Sequence, residues 1–159
     1  MNVPEYMARQ TERMADSLAH FIATTPEDKL VWHPQMEGSA PTRSILEQVG
    51  ECVAVNRLIA SLLRSGKPPE ASPGRTAPAF ANGQDAQEQL VASARELAEA
   101  VRGMSEEDLT RTYEHPRGQM RGENVIMMCL RNMAYHAGQI NLYQILSGDA
   151  EFHVPPTWR

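Results

Sequence analysis

GENVIMMCLRNMAYHAGQINLYQILSG, residues 122–148, is the stretch around which the rest of the chain is organised. Its apolar positions Val125, Met128, Cys129, Ala137, Ile140, Tyr143 and Leu146 recur mostly at intervals of three or four, the period of a helix with one face in a core. No proline interrupts the run, and Gly148 after the last apolar position is a stop signal. At roughly 1.5 Å per residue such a helix runs for more than about 35 Å, enough to form a full wall of a small domain. Cys129, Asn132, His136, Gln139 and Tyr143 follow one another at spacings of three or four and share one stripe. A polar group facing a core is costly without a partner, so Asn132 and His136 demand an explanation.

Three further helices are expected upstream. Pro4 in a first turn, followed by Tyr6, Met7, Met14, Leu18, Phe21 and Ile22, predicts helix one, ending near Thr24. Thr25-Pro26-Glu27-Asp28 reads as a capped helical turn closing on Leu30 and Trp32, with Trp32 plugging one end of the bundle. Residues 33–42 hold two prolines and a glycine and are expected to be irregular. Helix two starts at Pro41-Thr42-Arg43-Ser44-Ile45 and runs to about Leu63 on Ile45, Val49, Cys52, Val55, Leu58, Ile59 and Leu62. A stretch rich in proline, alanine and glycine up to Gly83 then reads as a surface crossover, with a lid over a site as the sharper alternative. Helix three begins near Asp85, carries Leu90, Ala94, Leu97 and Val101, and stops around Gly103.

Ser105 to Leu109 has the form of a capping box. No strand is assigned after it, although residues 110–113 and 119–121 could pair weakly. Phe152 and Trp158 suggest that the C-terminal tail packs onto the bundle or a partner subunit. Four amphipathic helices with a long crossover between the second and third predict an all-α four-helix bundle, a single domain over residues 1–159.

Composition agrees. A chain of 159 residues, 42% hydrophobic but only 6% aromatic and with nine methionines, suits packed helices better than sheets. A net charge of -5 with scattered arginines argues against nucleic-acid binding. Two cysteines far apart make no disulfide framework, and no run approaches the roughly 20 apolar residues of a membrane span. The expectation is a cytoplasmic protein with no membrane partner.

Trp32 with Pro34, Ser44-Ile45-Leu46-Glu47-Gln48 opening helix two, Leu109 after an acidic turn, and above all His136-Ala137-Gly138-Gln139-Ile140 followed by Leu146 and Gly148 resemble the DinB superfamily. This group of small bacterial bundles also includes thiol-dependent S-transferases and maleylpyruvate isomerase-like proteins. The resemblance covers nearly the whole chain, and its family name, from DNA-damage induction, implies no DNA contact. It implies a divalent metal held by three histidines, one on helix two and two on helix four spaced four apart. Those positions fall here on Glu51, Asn132 and His136, so one histidine remains.

Carboxylate oxygen and imidazole nitrogen are ordinary ligands for zinc, nickel or manganese, and three protein ligands with open positions is the pattern of a catalytic metal. Asparagine offers only a neutral carbonyl oxygen, and Cys129 is a candidate substitute. The metal-free alternative is a buried cluster in which Glu51 accepts from His136 and Asn132 bridges them. With metal, the expectation is a transferase or hydrolase acting on a small-molecule substrate with a low-molecular-weight thiol, Tyr135 and Tyr143 lining the pocket. Without it, the chain is a stress-response binding module or a structural protein; in either case a homodimer is expected. His20 reads as structural, Cys52 as core, and His33, His115 and His153 as solvated loop residues.

Overall fold

Each long helix but the last begins on a side chain that satisfies backbone N–H groups left free by the first turn. Asn2 Oδ1 accepts from Glu5 N–H at 2.9 Å and opens α1, Val3–Ala23. The computed structural model describes residues 1–35, 37–38, 40–68 and 79–159. After a one-turn α2, Glu27–Leu30, a capping box between Ser44 and Glu47 starts α3, Ile45–Ser65. Gly66 ends it at φ 73°, a left-handed conformation that favours glycine. Asn82 Oδ1 accepts from Asp85 N–H and opens α4, Gly83–Arg102, and a second capping box, Ser105 with Asp108, opens the short α5, Glu106–Thr110. A hairpin of β1, Thr112–His115, and β2, Gly118–Arg121, leads into α6, Gly122–Leu146. Residues Pro156–Trp158 form a 3-10 turn.

The four long helices form the expected bundle. α1 packs on α4 and α6, and α3 packs on the same two, so α1 and α3 occupy diagonal corners. One core cluster gathers Leu18, Phe21, Ile22, Leu30, Val49, Leu90, Met133 and Ile140, and a second gathers Ile59, Leu62, Leu97, Val101, Val125 and Cys129. Each fully buried side chain of this size contributes about 1.5–3 kcal/mol relative to exposure. Trp32 packs against the first cluster, edge-on to Tyr143 at 6.0 Å between ring centroids. Among the described residues no helix is long and apolar enough to cross a membrane.

The structure corrects some local expectations and decides between the alternatives left open by others. The third long helix starts at Gly83 rather than Asp85, because Asn82 caps it and Asp85 lies in its first turn. The turn at Glu27–Leu30 has Pro26 at its cap position and no side-chain cap; Thr25 Oγ1 instead donates to Phe21 O at 2.7 Å. Leu146 is exposed, whereas Gln144 on the same helix is buried and donates to Phe21 O, Thr24 Oγ1 and Thr25 Oγ1. A real hairpin replaces the polar connection, pairing Thr112 with Arg121 and Tyr113 with Met120; its first strand begins two residues later than residue 110 because α5 extends through Thr110. The tail folds onto its own chain: Trp158 Nε1 donates to Ser17 Oγ at 3.1 Å, and the Phe152 and Trp158 rings each lie 6.3 Å from Phe21. Whether the long crossover is a plain connection or a lid falls on residues 69–78, outside those described.

Candidate functional site

α3 and α6 are neighbours, and the residues that face each other across their seam are those aligned by helical spacing. On α3, Gln48 and Glu51 lie three apart on one face; on α6, Asn132, Tyr135, His136, Gln139 and Tyr143 form the facing stripe. Together with Pro41, Thr42 and Arg43 from the segment ahead of α3 they line a cavity of about 360 Å3.

His136 is the centre of this arrangement. It is buried, and its Nδ1 lies 3.1 Å from Gln48 Oε1 and 2.9 Å from Gln139 Oε1. Gln48 is oriented by its own amide Nε2, which donates to the Arg43 carbonyl at 3.1 Å, so its oxygen must face the imidazole. Two acceptors against Nδ1 place the proton there and leave a lone pair on Nε2. Among the described residues that Nε2, which is buried, has no hydrogen-bond partner, and neither does the buried Asn132 Oδ1. Burial holds the imidazole below its ordinary pKa, the positive Arg43 acts in the same direction, and the Gln139 hydrogen bond opposes both. His136 is therefore neutral at neutral pH.

Glu51 Oε2 is 3.9 Å from His136 Nε2, too far for a hydrogen bond, and is engaged by the Arg43 guanidinium instead. This corrects the metal-free cluster expected from the sequence. Glu51 does not accept from His136, and Asn132 does not bridge them. Gln48, Gln139 and Arg43 take those parts. Helical position 48, one turn before Glu51, was a usable signal for Gln48. Arg43 precedes the helix cap, so no periodicity pointed to it.

Cys129 does not substitute for Asn132. It lies seven residues before His136, about 10 Å along the axis at 1.5 Å per residue. Its Sγ contacts the Val55 carbonyl at 3.9 Å, and burial pushes its thiol far up, away from the thiolate a metal needs. Cys52 is core as expected. His115, expected to be solvated, is buried on β1, its Nδ1 accepting from Arg117 N–H at 3.1 Å. His153 is half-buried against Asp149 at 2.7 Å, and His33 Nδ1 lies 3.2 Å from Thr42 Oγ1. Tyr143 closes the inner wall while Tyr135 is exposed at the mouth, its hydroxyl accepting from Gln139 Nε2 at 3.1 Å.

Among the described residues, no group of three or more His, Cys, Asp and Glu side chains comes together to hold a metal. The donor set at the pocket is one imidazole, one carboxylate and one amide. Two of its atoms, His136 Nε2 and Asn132 Oδ1, are buried without partners, which fits acceptance of a cation, and the carboxylate of Glu51 supplies charge close to them.

A four-helix bundle with a polar pocket on the seam of its second and fourth long helices defines the class. The model of the DinB superfamily matches residues 10–140, and the chain belongs to that superfamily. It is similar in fold to the crystal structure of a DinB-like protein of Bacillus subtilis, with a TM-score of 0.66 at 19% identity over 96% of this chain and 99% of that one. No curated protein matches the chain.

Proposed function

We propose that this chain is a metal-dependent transferase of DinB type acting on a small molecule or thiol, with Glu51, Asn132 and His136 holding a divalent ion. The observation that carries the reading is the buried, unpartnered Nε2 of His136, with its lone pair fixed by Gln48 and Gln139 and a carboxylate oxygen 3.9 Å away. A ligating histidine characteristically donates its other N–H to an oxygen acceptor, as this one does. Two oxygen donors beside one imidazole shift preference from zinc and nickel toward manganese. The ion, when bound, polarises a water or thiol and lowers its pKa. Tyr143, backed by Trp32, excludes water from the inner wall, and Tyr135 with Gln139 presents polar groups to a ligand entering at the mouth. Elemental analysis of protein purified without a histidine tag tests the reading. Near-stoichiometric metal that disappears in His136→Ala supports it; its absence from the wild type overturns it.

A second reading, a metal-free stress-response binding module, is favoured by one observation: the Arg43 guanidinium already neutralises Glu51. For assembly we propose a homodimer through the outer face of α6, where Leu142, Ile145 and Leu146 are exposed. Sedimentation of Leu142→Glu, Ile145→Glu tests it, a monomer supporting the interface and an unchanged dimer or a monomeric wild type counting against it.

A further inference from the structure

Arg43 stands immediately before the cap of α3. Its backbone is fixed, because Gln48 Nε2 holds its carbonyl at 3.1 Å and the next residue, Ser44, is locked in the capping box. Its side chain is 61% exposed, with solvent beside it. The guanidinium engages Oε2 of Glu51, the same oxygen that lies nearest to His136 Nε2. An ion joining Glu51 to His136 needs ligand atoms at about 2.0–2.2 Å, and so needs that oxygen. Two cations on one carboxylate oxygen at the edge of a half-buried pocket repel strongly.

We propose that Arg43 is a built-in competitor for the metal: guanidinium and divalent ion occupy Glu51 in turn, and metal enters only by displacing the side chain outward. This rests on the metal-dependent reading of the site. Arg43 is the in-chain counter-ion that keeps Glu51 neutralised while the pocket holds no ion, and it sets the metal concentration at which the site fills. The contact uses one guanidinium nitrogen on one carboxylate oxygen, so the competition is one of charge and lysine at this position preserves it.

Isothermal titration of the full chain with manganese and zinc chlorides tests the proposal on the wild type, Arg43→Gln and Arg43→Lys. The expected result is that Arg43→Gln binds at least about tenfold more tightly than the wild type and Arg43→Lys stays within about threefold of it. Equal or weaker binding by Arg43→Gln overturns the competition while leaving the metal site standing. No binding by either the wild type or Arg43→Gln overturns both. A second measurement needs no variant: in the wild type, hydrogen exchange at the Arg43 Nη1–H groups, which hold Glu51 Oε2, speeds up when metal is added, and unchanged exchange at saturating metal overturns the displacement.

Discussion

Gln48 is the side chain whose removal most sharply separates a designed pocket from a chance one. It is buried, accepts from His136 Nδ1–H at 3.1 Å and donates to the Arg43 carbonyl at 3.1 Å. Gln48→Leu keeps the volume and deletes both hydrogen bonds. Each is worth about 0.5–1.5 kcal/mol net, so the gross loss is roughly 1–3 kcal/mol. Two features reduce it: His136 retains Gln139 at 2.9 Å, and the Arg43 segment is exposed enough for water to reach its carbonyl. Burial of the leucine returns part of the rest. The net expected destabilisation is about 1 kcal/mol, a fall in Tm of about 2–4 °C for a chain of this size. The larger effect is on the imidazole. With one of two acceptors gone, the Nδ1–H tautomer is held by Gln139 alone and less firmly, and metal affinity falls about 10–100-fold, as when an orienting partner is removed from a ligating histidine. Nitrogen-15 shifts of His136 report the tautomer and calorimetry reports the affinity. A variant with the Nδ1–H tautomer intact and unchanged metal affinity would refute the orienting role of Gln48.

Two other outcomes are expected. A Cβ added at Gly122 runs into the Asp108 carbonyl, which is backbone and has no rotamer to move to, so Gly122→Ala forces α5 and α6 apart at a cost of about 1–3 kcal/mol; an unchanged thermal melt contradicts that packing. His136 and His115 both have pKa values lowered by burial, so below the unfolded value of about 6.5 the unfolded chain binds more protons than the folded one. Their contribution is complete above that pH and is lost as pH falls toward the folded values. Tm therefore declines from pH 7 to 5, and the decline is shallower in a His136→Gln, His115→Gln double variant; identical slopes refute the assignment. The hydrogen-bonded carboxylates Glu12, Glu47 and Asp108 have lowered pKa values and act in a separate window, below about pH 4.5.

The four long helices were legible because each writes its burial as a period of three to four residues, and the same period put Asn132 and His136 on the face that meets Glu51. What periodicity cannot express was missed. Arg43 reaches the pocket from outside any helix. Gln144 looks like a surface residue in sequence, yet three acceptors at the end of α1 make its burial favourable. Conversely Leu146 continues the apolar rhythm but lies with Leu142 and Ile145 on the outer face of α6. The hairpin strands are four residues each, too short to carry a clear alternation, and His115 is buried there only because Tyr113 and His115 share the inward face of β1.

Anomalous diffraction from crystals of the untagged protein grown with manganese tests the site most directly. A peak about 2.0–2.3 Å from His136 Nε2, with the Glu51 carboxylate turned onto it and Arg43 swung away, is the predicted result. A pocket without a peak, Glu51 still held by Arg43 and manganese bound elsewhere or nowhere, would contradict it.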